Sequence, residues 1–222
     1  MAQATLAELL VRNDRHTDSI PADQFRGVED AQHPAVVSLC CSDSRVSQEG
    51  MLDVSEPGWL FTPSNIGNVA WDDTGVVDGN LLYPVAFTDT RTITIVGHTG
   101  CGAVTAAHTA ATTDEYPTPA GVCRRVELLV PVVERGLSAV DPTRADVVDA
   151  LVEWNVREQV MFLTESDSVP TDTTVLGFVY DLHERYGDVA GRVYLVSVNG
   201  ETASETLAEW ADGTDRHVKS LL

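Results

Sequence analysis

The sequence predicts an α/β fold: a central, mostly parallel β-sheet flanked by helices, with a helical arm at its N-terminal end. Three observations carry this. Short apolar runs rich in β-branched residues recur along the chain, segments with three- to four-residue apolar spacing lie between them, and patterned sequence resumes at once after each loop. Strands that alternate with helices in this way form parallel sheets covered on both faces. A chain of 222 residues with 43% apolar residues is long enough and apolar enough for one real core.

The elements follow in order. "MAQATLAELLVRNDRH" lacks the basic start of a secretory signal, and Glu8 interrupts its apolar stretch. Residues 1–30 are therefore expected to hold a helical arm, frayed when the chain is alone, and residues 31–222 a single domain. The strands are expected at "AVVSLC" (35–40), "GWLFT" (58–62), "TITIVG" (92–97), "TTVLGFV" (173–179) and "RVYLVSV" (192–198). In "VVDALVEWNVREQVMFL", Val148, Val152, Val156, Val160 and Leu163 mark one face of a helix, with Leu151 beside them. "GNLLYPVAFTD" (79–89) is a weaker helix with Pro84 inside it. "TTDEYPTPAG" (112–121) and "SDSVPTD" (166–172) read as loops, and no internal repeat is present.

Charge narrows the partners. The chain carries 34 acids against 14 bases, a formal charge of −20, and Lys219 is its one lysine. Such a surface repels nucleic acid and anionic membrane, so neither is expected as a partner. A soluble acidic protein fits this balance; adaptation to a high-salt cytosol fits it better. At about 1 M salt the Debye length falls to about 3 Å and screens the repulsion among carboxylates. No apolar run approaches the ~20 residues that span a bilayer. The chain reads as cytoplasmic, where its four cysteines serve as ligands or core residues rather than disulfides.

Two segments carry chemistry, and both sit at carboxyl ends of expected strands, where open α/β sheets gather functional groups. The first strand runs into "CCSDSR" and the third into "GHTGCGAV". His98 and Cys101, with one cysteine from the first segment, make a soft S, S, N set suited to zinc. Three protein ligands leave a fourth tetrahedral position open, as catalytic zinc sites do. Adjacent residues on a strand face opposite ways, so Cys40 and Cys41 do not both bind. Periodicity alone does not choose between them.

The segments Cys41-Ser42-Asp43-Ser44-Arg45 and His98-Thr99-Gly100-Cys101-Gly102 resemble the signature of the β-class carbonic anhydrases. "NIGN" (65–68), "WNVREQV" (154–160) and "VLGFVYDL" (175–182) resemble further family segments in the same order, so the similarity runs from about Gln32 to Val198. The resemblance implies a β-carbonic anhydrase-like fold and a zinc cofactor held by Cys41, His98 and Cys101. Cys40 and Cys123 then stay unliganded, and His16, His33, His108, His183 and His217 match no metal position. It also implies reversible hydration of CO2 to bicarbonate, with Asp43 accepting a hydrogen bond from the attacking hydroxide. Arg45, always charged and fork-shaped, would hold that carboxylate in place and ionised.

The remaining implications concern the substrate pocket. Gln32, Phe61, Tyr83 and Gly102 fall at the family's substrate-binding positions, and the first three match the plant-like subgroup. In that subgroup the aspartate does not close the site by taking the fourth metal position. Such a pocket forms between subunits, so the resemblance implies a homodimer at least, with Gln32 and Tyr83 reaching a neighbour's metal site. One departure stands out: Ser64 stands where the family commonly has Arg before the Asn of "NIGN". That Arg serves a regulatory bicarbonate pocket in the self-closing subgroup, and its replacement here is not evident from sequence. Two rival functions keep the same ligands: hydrolysis of carbon disulfide or carbonyl sulfide, and a zinc-stabilised scaffold without turnover. The Asp43–Arg45 dyad argues against the scaffold, which needs the ligands but not the dyad.

Overall fold

The run ending in the double cysteine becomes β1 (Val36–Cys41), buried on both faces except at its first residue. A computed structural model describes residues 4–222, and its sheet is built outward from this strand. The elements preceding and following β1 are α1 (Leu6–Ser19), α2 (Gln48–Met51), β2 (Leu60–Phe61), β3 (Ser64–Asn65), α3 (Gly79–Phe87), β4 (Thr92–His98), α4 (Gly102–Thr113), α5 (Ala120–Glu127), α6 (Val130–Leu137), α7 (Val147–Thr164), β5 (Thr174–Asp181), β6 (Arg192–Val198) and α8 (Ser204–Ala211). The sheet order is β2-β1-β4-β5-β6, with β3 also paired to β1. Every pairing is parallel except that of β5 with β6. The mostly parallel α/β architecture expected from the sequence is the one observed.

Three differences have physical causes. The "GWLFT" run yields only Leu60–Phe61, because Pro63, which cannot donate to a ladder, follows at once, and both residues are half-buried edge positions. The short β3 carries no hydrophobic pattern, and its Ser64–Asn65 pair joins the sheet through parallel register with Cys40 and Cys41. Along β5 burial alternates, leaving Leu176 and Phe178 half-buried, so this end of the sheet is not fully covered on its second face. Helices α4 and α5 border the expected 112–121 loop and trim its ends, and α6 follows α5.

Helix α7 organises the core. Its Val152, Val156, Val160 and Leu163 are buried as the spacing predicts, while Val148 is only half-buried. Val152 and Val156 lie so close to β4 that a Cβ on Gly97 would meet Val156 Cγ2 at 2.8 Å. The same helix buries Asp149, Glu153, Asn155 and Gln159, which hydrophobic periodicity does not reveal. Asn155 Nδ2 donates to the Gly67 carbonyl at 3.0 Å, and Gln159 Oε1 accepts from the Ala70 N–H at 2.8 Å. These bonds hold the loop beside β1. Within the expected arm, α1 spans Leu6–Ser19 with none of its side chains buried; residues 1–3 lie outside the described residues.

Candidate metal centre

Parallel pairing of β1 and β4 brings the two chemical segments together. Cys40 is opposite Val96 in the ladder, so Cys41 and His98 leave neighbouring strands at the same end of the sheet. The chain then turns through Thr99 and Gly100, and Cys101 stands immediately before α4. A helix N-terminus favours a thiolate there. The donor atoms of Cys41, His98 and Cys101 all lie within 4.8 Å of one another, and the two sulfurs are 3.6 Å apart. All three side chains are buried.

Their chemistry fits a divalent cation. His98 Nδ1 meets the Thr99 carbonyl at 3.0 Å, which places its proton there and turns the Nε2 lone pair toward the sulfurs. Among the described residues, that buried Nε2 has no hydrogen-bond partner, which leaves its lone pair available to a cation between the two sulfurs. The thiols divide one negative charge. Cys101 is pulled down to about 4, first by the hydrogen bond from Cys41 and then by His98, against the effect of burial. Cys41 is pushed up by the same hydrogen bond and by burial. His98 is raised: burial lowers it, but the nearby Cys101 sulfur and the Thr99 carbonyl outweigh that. Thiolates and a neutral imidazole are the ligands zinc prefers.

Asp43 stands over the cluster, its Oδ2 3.5 Å from His98 Nε2. Arg45 grips both its oxygens, Nε to Oδ1 at 2.9 Å and Nη2 to Oδ2 at 2.7 Å, and the Arg45 backbone N–H adds a third bond at 2.9 Å. The Arg45 hydrogen bond holds the Asp43 carboxyl well below the usual carboxylate range despite partial burial. A cavity of about 230 Å³ opens on Cys41 and Asp43 and is bordered by Thr62 and Ser64.

The implied substrate residues divide. Phe61 and Tyr83 come together, their rings stacked at 6.4 Å, and Phe87 continues the row at 5.2 Å from Tyr83. Phe61 lines a second cavity of about 650 Å³ that shares Thr62 and Ser64 with the first. Gly102 is exposed at the first position of α4. Gln32 is exposed before β1, with no hydrogen bond of its side chain among the described residues. Arg125 of α5 lines the same larger cavity as Ser64.

The other cysteines and histidines keep clear of the cluster, with one qualification. Cys40 is buried, its thiol pushed up to about 12 first by burial, and Cys123 makes only a 3.4 Å contact to Glu127. His16 and His33 are exposed and His108 is half-exposed, while His217 Nδ1 meets the Val193 carbonyl at 2.8 Å. His183 is exposed overall, yet its Nδ1 meets Thr99 Oγ1 at 2.9 Å and its ring covers Gly100. Sequence reasoning missed this contact because 84 residues separate the partners.

Fold and site together define an α/β protein with a Cys-His-Cys metal centre at the carboxyl edge of a parallel sheet. The family model described as carbonic anhydrase matches residues 36–189, more than half of the chain. A carbonic anhydrase of Pseudomonas aeruginosa is 31% identical over 175 residues, covering 74% of this chain and 78% of its own. One from Mycolicibacterium smegmatis is 33% identical over 151 residues, 63% of this chain and 70% of its own. The fold is shared with the Coccomyxa β-carbonic anhydrase (TM-score 0.73, 24% identity, 93% of this chain and 92% of that one). A tetrameric β-carbonic anhydrase of Sordaria macrospora has a TM-score of 0.66 at 20% identity over 86% and 93% of the two chains. This chain belongs to the β-class carbonic anhydrase family.

Proposed function

We propose that the chain is a zinc-dependent carbonic anhydrase interconverting CO2 and water with bicarbonate and a proton. The observation that carries this is the buried Cys41, His98 and Cys101 donor set with the Arg45-held Asp43 carboxylate 3.5 Å from His98 Nε2. Cys41, His98 and Cys101 would hold the zinc, which would supply a nucleophilic oxygen at neutral pH, since known catalytic centres lower the pKa of a coordinated water to about 7. Asp43, ionised and acceptor-only, would accept a hydrogen bond from the attacking oxygen and orient it for CO2. Arg45 prevents that carboxylate from rotating or taking a proton. The apolar ring of Phe61 offers CO2, which has no charge and no donor, a surface without competing polar groups.

The site belongs to the open, plant-like kind. Both Asp43 oxygens are engaged by Arg45, which opposes a move of the carboxylate into the metal's fourth position. The working unit is a homodimer or larger. Gln32 and Tyr83 stand exposed, as expected if they complete a neighbour's pocket, and the Sordaria relative in fold is tetrameric. No helix among the described residues is long and apolar enough to cross a membrane. The −20 charge with a single lysine supports a cytoplasmic protein working at high salt.

Stopped-flow CO2 hydration, with and without chelation of zinc, tests the activity. Turnover that vanishes with the metal and returns on its restoration is expected. Zinc retained without turnover would favour the scaffold, and sulfide release from carbon disulfide exceeding CO2 turnover would favour the hydrolase.

A further inference from the structure

The turn joining His98 to Cys101 is held at a single glycine. Gly100 adopts φ +64°, a conformation that favours glycine. Its carbonyl accepts from Arg45 Nη2 at 3.4 Å. Its N–H donates to Asp149 Oδ1 at 2.7 Å. The His183 ring closes the remaining side, where a Cβ on Gly100 would meet Cε1 at 2.5 Å.

Asp149 comes from α7, behind the sheet, and is 6% exposed. A carboxylate so buried is costly unless donors meet both oxygens. One oxygen takes the Gly100 N–H and the other takes Arg185 Nε at 3.0 Å. Asp149 touches neither a ligand nor Asp43 by any recorded bond, yet it anchors the peptide that carries Cys101 on one side and contacts Arg45 on the other. We infer that Asp149 is a positioning residue: through Gly100 it sets where the Cys101 sulfur meets the metal and where Arg45 holds Asp43. This rests on the metal centre proposed above.

The test compares Asp149→Leu, which removes the acceptor, with Asp149→Asn, which keeps an oxygen for Gly100 but drops the charge facing Arg185. Glu153→Gln, one turn along α7, serves as a control that disturbs another buried carboxylate without touching Gly100. Each is loaded with zinc for competition against a chelator, and with cobalt(II) for its visible ligand-field spectrum. The Leu variant is expected to hold zinc about 10- to 100-fold less tightly, the range seen when outer partners of a metal ligand are removed. Its cobalt bands should shift, while the Asn and Glu153→Gln proteins keep the wild-type spectrum.

If Asp149→Leu does not fold, Asp149→Ser, too short to reach Gly100, replaces it with the same expectation. A folded Leu or Ser variant with wild-type zinc affinity and wild-type cobalt bands overturns the inference. So does an Asn variant as defective as the Leu one, since the charge and not the bond to Gly100 would then matter. Wild-type protein that binds neither metal overturns this inference together with the metal centre, whereas indistinguishable variants of a metal-binding wild type overturn this inference alone.

Discussion

Asp43 and Arg45 form a closed three-bond unit: the side chain and the backbone N–H of Arg45 both donate to the carboxylate two residues before it. The exposed half of this pair is Arg45, at 48% side-chain accessibility, while Asp43 is only 18% accessible. As a surface ion pair it would stabilise the fold little. Its value lies in direction, since it fixes a charged acceptor over His98 Nε2.

Asp43→Asn is therefore expected to keep its metal and lose activity. The amide retains the shape but presents a donor where the hydroxide needs an acceptor. A fall in kcat/KM on the order of 10²-fold is expected, as when one preorganised polar group is removed, with zinc content unchanged by elemental analysis. Full activity in this variant would remove Asp43 from the mechanism.

The pair also makes a pH prediction. The Asp43 carboxyl is depressed in the folded protein, first by its Arg45 hydrogen bond. A depressed carboxyl stabilises the fold fully above the unfolded value of about 4 and loses that contribution as pH falls through the folded value. Arg45→Gln should thus lower the melting temperature at neutral pH, and the difference from wild type should narrow below about pH 4. A difference that persists unchanged into acid would mean that the pair is not coupled to folding.

Much of this site was legible in the sequence because its parts lie in short continuous segments. Cys41 through Arg45 and His98 through Gly102 each keep strand, turn and functional groups within a few residues, and strand periodicity places them at one sheet edge. Illegible were groups whose meaning depends on distant partners. Asp149 and Glu153 look like the polar face of an amphipathic helix, yet both are buried. Besides Arg157 one turn along the helix, Glu153 is satisfied by Tyr186 Oη at 2.8 Å, Ser220 Oγ at 2.7 Å and the Leu221 N–H at 2.7 Å, from 33 to 68 residues away. Arg125 likewise joins Ser64 only through the cavity they share. The two-residue β3 has no periodicity to read.

Tyr186→Phe tests the buried Glu153 network. It removes one donor from a fully buried carboxylate while keeping the ring stacked on Tyr194 at 4.9 Å. A loss of about 1.5–3 kcal/mol is expected in chemical denaturation, the range for hydrogen bonds to charged groups. A change below about 0.5 kcal/mol would show that the remaining donors suffice.

Gly67→Ala tests the loop beside Cys41. Gly67 lies at φ +83°, and a Cβ there would collide with Leu129 Cδ1. Positive φ and overpacking each cost about 1–3 kcal/mol, so a loss of about 2–5 kcal/mol is expected, with weaker zinc retention. Wild-type stability would mean that the loop shifts freely and does not fix Cys41.

The salt proposal makes its own prediction. Dilution from molar salt into low-salt buffer should dissociate or unfold the assembly, because the mutual repulsion of its carboxylates is no longer screened. Circular dichroism and sedimentation follow both events. Unchanged signals at low salt would leave the acidity without that role.

The most direct measurement is the zinc content of purified protein, paired with X-ray absorption at the zinc edge, for wild type and Cys41→Ser. One zinc per chain bound by two sulfurs and one imidazole nitrogen, and none retained by the variant, is the predicted result. A wild-type protein free of zinc, or a Cys41→Ser protein holding as much as wild type, would contradict the account.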